Sequence, residues 1–285
     1  MSLRHGRRAA TWAGVLGACL AIAPAVSYAA AGQPPATGTP VQAGTSPAPF
    51  PTDPNEAVDA RVKEPLAVLI EPGSEQKLSN ETTITRWAHA QALSKVLSEP
   101  RRGARMITRL SYLTEDKAAE VYIVLAAKLD SDRRVWLRIR VPMRPHGRTG
   151  WVLADDMSTL YVVRTQLVVD RKALKATLHK NGKKIWQASV GIGKSGTPTP
   201  SGDFWIRERL KGLGNGSAYG PWAFGTSAYS NISDWPGGGV VGIHGTNEPS
   251  LIPGRPSHGC VRVRNDKIRS LSRLMPVGTP VRIVR

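Results

Sequence analysis

From Leu66 to the C-terminus, short apolar runs and alternating stretches are divided by Gly, Pro and Asn. That period-two pattern predicts strands, and helical periodicity is scarce. In the first half, Leu66–Ile70, Val121–Leu129 and Val135–Met143 are strand candidates. In the last of these, Trp136, Arg138 and Arg140 alternate with Leu137, Ile139 and Val141. A Gly turn then leads into Trp151, which is expected in a core. In the second half, Leu167–Asp170 begins a strand, and Leu174, Ala176 and Leu178 alternate with polar residues. Asn181-Gly182 follows and predicts a tight hairpin, because a type I′ turn needs two positive φ angles. Lys183–Gly193, Val240–Ile243 and Pro280–Val284 are further strands. Ile268, Leu271 and Leu274 predict one short helix, with Asn265 as its cap and Pro276 and Gly278 beyond its end. Lys211–Gly239 is rich in Gly, Ser, Asn and the aromatics Tyr219, Trp222, Phe224 and Trp235. It is expected to be a long loop lining a cleft and forming a lid. The predicted fold is mainly β, in two parts, residues 65–158 and 159–285, each expected to be its own module.

The first 64 residues differ in composition. Arg4, Arg7 and Arg8 precede a largely apolar run from Ala9 to Val26, and small residues surround Ala29–Ala31. This predicts an export signal over residues 1–31. A retained membrane anchor and a lipid-modified Cys19 are the alternatives. Residues 32–64 are rich in Ala, Pro, Thr and Gly and cannot bury a core, so a disordered linker is expected. With Cys19 removed, Cys260 is the remaining thiol, and an internal disulfide is excluded. The formal net charge is +18. In an exported protein this points to anionic wall polymers rather than nucleic acid, since no basic run is interleaved with stacking aromatics.

Chemistry concentrates in Val240–Val263, VVGIHGTNEPSLIPGRPSHGCVRV. A thiol nucleophile needs a base to take its proton and N–H donors for the oxyanion. His244 at the end of a strand can be the base. The backbone N–H groups of Gly259 and Cys260 can be the donors. The other readings are a buried structural Cys, a polar surface His, or a zinc site made from His244, His258 and Cys260. Ala188–Ser195 fits a loose phosphate-loop pattern, but Pro198 and Pro200 would break the helix such a loop must enter.

His244-Gly245 followed by Ser257-His258-Gly259-Cys260-Val261-Arg262 resembles the signature of L,D-transpeptidases with a YkuD-type catalytic domain, over about Thr165 to Arg285. The resemblance implies a β-sandwich catalytic domain. It implies Cys260 as nucleophile, His244 as proton donor and acceptor, His258 as support and Gly259 as an oxyanion donor. Gly245, Ser257, Arg262, Tyr219 and Trp222 become the expected substrate contacts. Many members carry Asn where this chain has Arg262, and the Arg form is also familiar from the family. Residues 136–152 resemble the small SH3-like bacterial β-barrel modules that often precede such domains. The implied substrates are peptidoglycan stem peptides, as donor and acceptor, and no metal or organic cofactor is required. A non-catalytic wall-binding protein of the same fold and an L,D-carboxypeptidase using water are the alternatives.

Overall fold

The computed structural model describes residues 73–211, 214–232 and 236–285. The expected export signal, linker and strand at 66–70, and Trp235, lie outside the described residues.

The first part forms β1 (Glu75–Lys77), β2 (Thr85–Ala88), β3 (Lys95–Leu97), β4 (Met106–Arg109), β5 (Tyr122–Leu129), β6 (Val135–Arg140), β7 (Thr149–Leu153) and β8 (Tyr161–Val163). They pair antiparallel in the order β4-β3-β7-β6-β5-β2-β8, with β1 also on β5. β8 belongs here by its pairing with β2, so this sheet extends past the expected limit at residue 158. β5 is buried along almost its whole length. Tyr122 and Val124 pack with Leu137, Ile139 and Val152 on one face, and Ile123 and Leu125 pack on the other. Burial on both faces is why its sequence is a continuous apolar run rather than an alternating one. Trp151 is in a core, as expected, where it packs with Trp136.

The second part contains β9 (Thr165–Asp170), β10 (Lys175–Lys180), β11 (Lys183–Gly193), β12 (Gly202–Lys211), β13 (Trp222–Tyr229), β14 (Val240–His244), β15 (Gly254–Ser257), β16 (Val261–Val263), α1 (Asn265–Ser272) and β17 (Pro280–Val284). The strand order is β10-β9-β17-β12-β13-β14-β16-β11-β15, and β10 also pairs with β11. Hydrogen bonding therefore returns on itself around the expected β-sandwich core. The Asn181-Gly182 hairpin forms, with φ of 49° and 76°. Leu167, Leu178, Ile192, Ile206, Phe224 and Ile243 are fully buried within. Each such side chain contributes about 1.5–3 kcal/mol relative to exposure.

Two expectations are corrected. Residues 222–229 are not lid. They are β13, buried along nearly its length between β12 and β14. Small residues in WAFGTSAY let it pack on both faces without the bulky alternation that marks a strand. Asn265 does not cap α1. Its Oδ1 accepts the Thr246 N–H at 2.9 Å, and Leu274 lies beyond the helix while Ile268 and Leu271 are buried.

The two sheets share a buried seam. Trp205 of β12 packs with Trp87, Ile123 and Val163, and its Nε1–H donates to Val121 O at 2.7 Å. Arg207 pairs with Glu120 through two guanidinium nitrogens and with Glu115 at 2.9 Å. Burial pushes Arg207 toward neutrality, and the Glu120 carboxylate more than reverses that and keeps it charged.

Candidate active site

β14 and β16 run parallel, with Ile243 beside Val261 and His244 beside Arg262. This register places Gly242 next to Cys260, and the Gly242 N–H donates to Cys260 Sγ at 3.3 Å. A Cβ on Gly242 would stand 3.6 Å from His244 Cδ2 and 3.8 Å from Cys260 Sγ. The missing side chain at Gly242 thus leaves the imidazole and the thiol on either side of one small space. Both line a cavity of about 230 Å³ with Tyr219, Ser230, Ser257, His258 and Arg262.

His244 is buried, with 4% of its surface exposed. Its Nδ1 lies 2.6 Å from Gly245 O. A carbonyl only accepts, so Nδ1 carries the proton and Nε2 is the basic nitrogen. The Tyr219 ring stands 4.8 Å from the imidazole, tilted at 56°. Burial pushes the His244 pKa down to about 4, against the Gly245 hydrogen bond and with help from the Arg262 charge. Burial also pushes the Cys260 thiol up, opposed by the Gly242 N–H and by Arg262. At neutral pH both groups are uncharged, so the pair is a thiol beside a neutral base.

The turn holding Cys260 is hydrogen-bonded throughout. Ser257 Oγ donates to Cys260 O at 2.6 Å and accepts the Gly259 N–H at 3.2 Å. Thr199 Oγ1 donates to Gly259 O and accepts the Gly193 N–H. Gly259 has φ +131°, and a Cβ there would meet Ser230 Cβ at 3.1 Å. Backbone conformation and the close wall require glycine at this position.

Several expected roles change. The Gly259 N–H, expected as an oxyanion donor, instead donates to Ser257 Oγ at 3.2 Å. Ser257 is 2% exposed and serves the turn through its hydroxyl. His258 also lines the cavity but is exposed, and its Nε2 accepts from Lys194 Nζ at 2.9 Å. Trp222 is not among the cavity-lining residues. It packs on the core under the Arg209 guanidinium, and its carbonyl accepts the Gly245 N–H at 3.1 Å. Gly245 is also outside the lining, closely packed against Asn265, Pro221 and Gly220. Tyr219 and Arg262 do line the cavity. Among the described residues no three His, Cys, Asp or Glu side chains gather as metal ligands. Gly242, Thr199, Ser230 and Asn265 were not expected at the site. Thr199 and Asn265 reach the site turns through side-chain oxygens, Gly242 through its N–H and Ser230 as a wall, and all depend on segments far apart in sequence meeting, which no local spacing marks.

The YkuD family model, described as an L,D-transpeptidase catalytic domain, matches residues 164–283. YkuD of Bacillus subtilis strain 168, named as an L,D-transpeptidase, is 33% identical over 125 residues, covering 44% of this chain and 69% of that protein. The chain belongs to the L,D-transpeptidase family. The L,D-transpeptidase YqjB of the same organism is 29% identical over 124 residues, covering 41% of this chain and 69% of that one. A solved Enterococcus faecium L,D-transpeptidase with its cysteine changed to serine is 25% identical, with a TM-score of 0.34. That similarity covers 42% of this chain and 49% of the other, so the chain spans about half the length of that solved protein. In this L,D-transpeptidase family member, β9 to β17 make up the matched domain, and every residue of the cavity lies within it.

Proposed function

We propose that the protein is an exported L,D-transpeptidase that joins peptidoglycan stem peptides through a Cys260 thioester. The observation that carries this reading is the juxtaposition of Cys260 and His244 across Gly242 in a lined cavity. Peptidoglycan stems as substrates follow from the family, and location outside the cytoplasm follows from the composition of residues 1–31.

The chemistry runs as two acyl transfers. The donor carbonyl, on the third residue of a tetrapeptide stem, enters beside Cys260. His244 Nε2 takes the thiol proton as sulfur bonds to the carbonyl carbon, and the Cys260 N–H faces the developing oxyanion. The C–N bond to the terminal residue breaks, and the imidazolium returns the proton to the leaving amine. An acceptor amine then attacks the thioester and gives a proton to His244. The C–S bond breaks, and the thiolate recovers that proton. Nδ1–H on Gly245 O holds the imidazole in the required tautomer throughout.

Incubation of the purified protein with tetrapeptide stems, followed by mass spectrometry of the products, separates the readings. Cross-linked dimers are expected. Shortened tripeptides alone would instead support an L,D-carboxypeptidase, and unchanged stems would support a wall-binding protein.

A further inference from the structure

Arg262 lines the active cavity, yet its Nη1 donates to Glu248 Oε2 at 2.7 Å. The two side chains differ in exposure, 17% for Arg262 and 53% for Glu248. Glu248 is not part of the cavity lining and reaches Arg262 from the segment after His244. That segment is anchored behind it: the Glu248 N–H donates to Thr246 Oγ1, and the Thr246 N–H donates to Asn265 Oδ1. The Glu248 carboxylate can therefore swing out while its backbone stays in place. Arg262 Nε is buried and has no partner among the described residues. A guanidinium holds a carboxylate best through two parallel N–H donors, so capacity remains beyond the bond to Glu248.

The Glu248 carboxylate is about half exposed, so water screens its attraction to Arg262 and competes for it. A second carboxylate arriving from the cavity side can displace Glu248 at little cost. The spacing identifies that carboxylate. Cys260 ends the turn that leads into β16, Arg262 follows two residues later on that strand, and both line the same cavity, so their backbones are at most about 7 Å apart. In a peptide donor, the carboxylate of the expelled terminal residue lies one residue, roughly 3.5 Å, beyond the attacked carbonyl. The flexible guanidinium stem covers the remaining difference.

We propose that Arg262 binds the C-terminal carboxylate of the residue expelled from the donor stem, and that Glu248 occupies this site until the substrate displaces it. The proposal rests on the acyl-transfer reading and adds a specificity rule. Donors ending in a free carboxylate one residue past the scissile bond are preferred, and donors capped as amides are disfavoured.

The test compares two tetrapeptide stems identical except for a terminal acid or amide, using the full chain and measuring kcat and KM for release of the last residue. Wild type should prefer the acid by about 10–100-fold in kcat/KM, the scale of a charge-assisted hydrogen bond. In Arg262→Gln the acid-to-amide ratio should collapse toward one, and Arg262→Lys should restore part of it. Glu248→Ala should lower KM for the acid stem several-fold more than for the amide stem. Equal use of both stems by wild type, or a wild-type ratio retained in Arg262→Gln, overturns the proposal. If Arg262→Gln does not fold, the wild-type ratio and the Glu248→Ala shift still decide. If wild type releases the last residue from neither stem, acyl transfer itself is refuted, an outcome distinct from equal use of both.

Discussion

At the scale of single residues, the ordering of two proton affinities controls the chemistry. A histidine base is generally expected to titrate near neutrality, but His244 is held down at about 4 by burial. Its unperturbed value is about 6.5. Because the pKa is lowered, the base stays neutral and competent as pH falls through 6.5, and it is lost only as pH approaches 4. Cys260 is raised by burial, so thiolate accumulates only above the ordinary thiol range. The acylation rate should therefore show no histidine limb between pH 5 and 7, an acid limb near 4, and a rise on the alkaline side. Single-turnover release of the terminal residue from a tetrapeptide stem, followed against pH, checks this. His244→Ala should lower the rate about a hundredfold or more and abolish the acid limb, whereas His258→Ala should keep that limb. An acid limb near 6.5 in wild type would mean that burial does not govern the base.

At the scale of elements, the site depends on two turns held from a distance. The turn after β14 is pinned by Asn265 at the start of α1, and the Cys260 turn is pinned by Ser257 and Thr199. Asn265→Ala leaves the buried Thr246 N–H without its acceptor and should cost about 1–3 kcal/mol. Thermal unfolding measures that cost, and a reduced acylation rate should accompany it as His244 loses its support. A variant with unchanged Tm and rate would show that the turn is self-sufficient. The strands that carry strong local signals were legible in the sequence. The Asn181-Gly182 hairpin, β5, β6, β14 and β17 carry turn chemistry, a short apolar run or, in β6, clean alternation. β13 was not legible, because its Gly, Ser, Thr and Ala positions resemble a loop when read alone. They become strand only when β12 and β14 supply hydrogen bonds on both sides. The Cys260 and His244 pairing was legible through its ordered motif, while Gly242 and Asn265 were visible only once β14, β16 and α1 had been brought together.

At the scale of the whole molecule, the two sheets are less separable than their compositions imply. Trp205, Arg207 and Glu208 of β12 all reach partners in the segment between β4 and β5: Val121, Glu120 and Thr114. Burial raises the Glu208 pKa to about 7, with Asp116 adding to that shift and the Thr114 hydrogen bond opposing it. Arg144 from the first sheet donates to Ser230 O at 3.0 Å and to Gly238 O at 2.9 Å, beside the cavity wall. No sequence pattern announces such a seam, because Glu120 and Arg207 read as ordinary surface charges until the fold buries them. Glu120→Gln leaves Arg207 buried with a weaker partner set and should cost about 3 kcal/mol in chemical denaturation, near the lower bound for breaking a buried pair because Glu115 remains. Replacing the pair together, Arg207→Met with Glu120→Leu, should recover much of that loss. Equal additive losses would show that the charges contribute independently. The central claim is tested most directly by the intact mass of the full-length protein after exposure to a tetrapeptide donor, for wild type and Cys260→Ser. The expected result is a wild-type mass increase equal to the acyl part of the stem, with release of its terminal residue, and neither in Cys260→Ser. Undiminished release by Cys260→Ser would contradict the account.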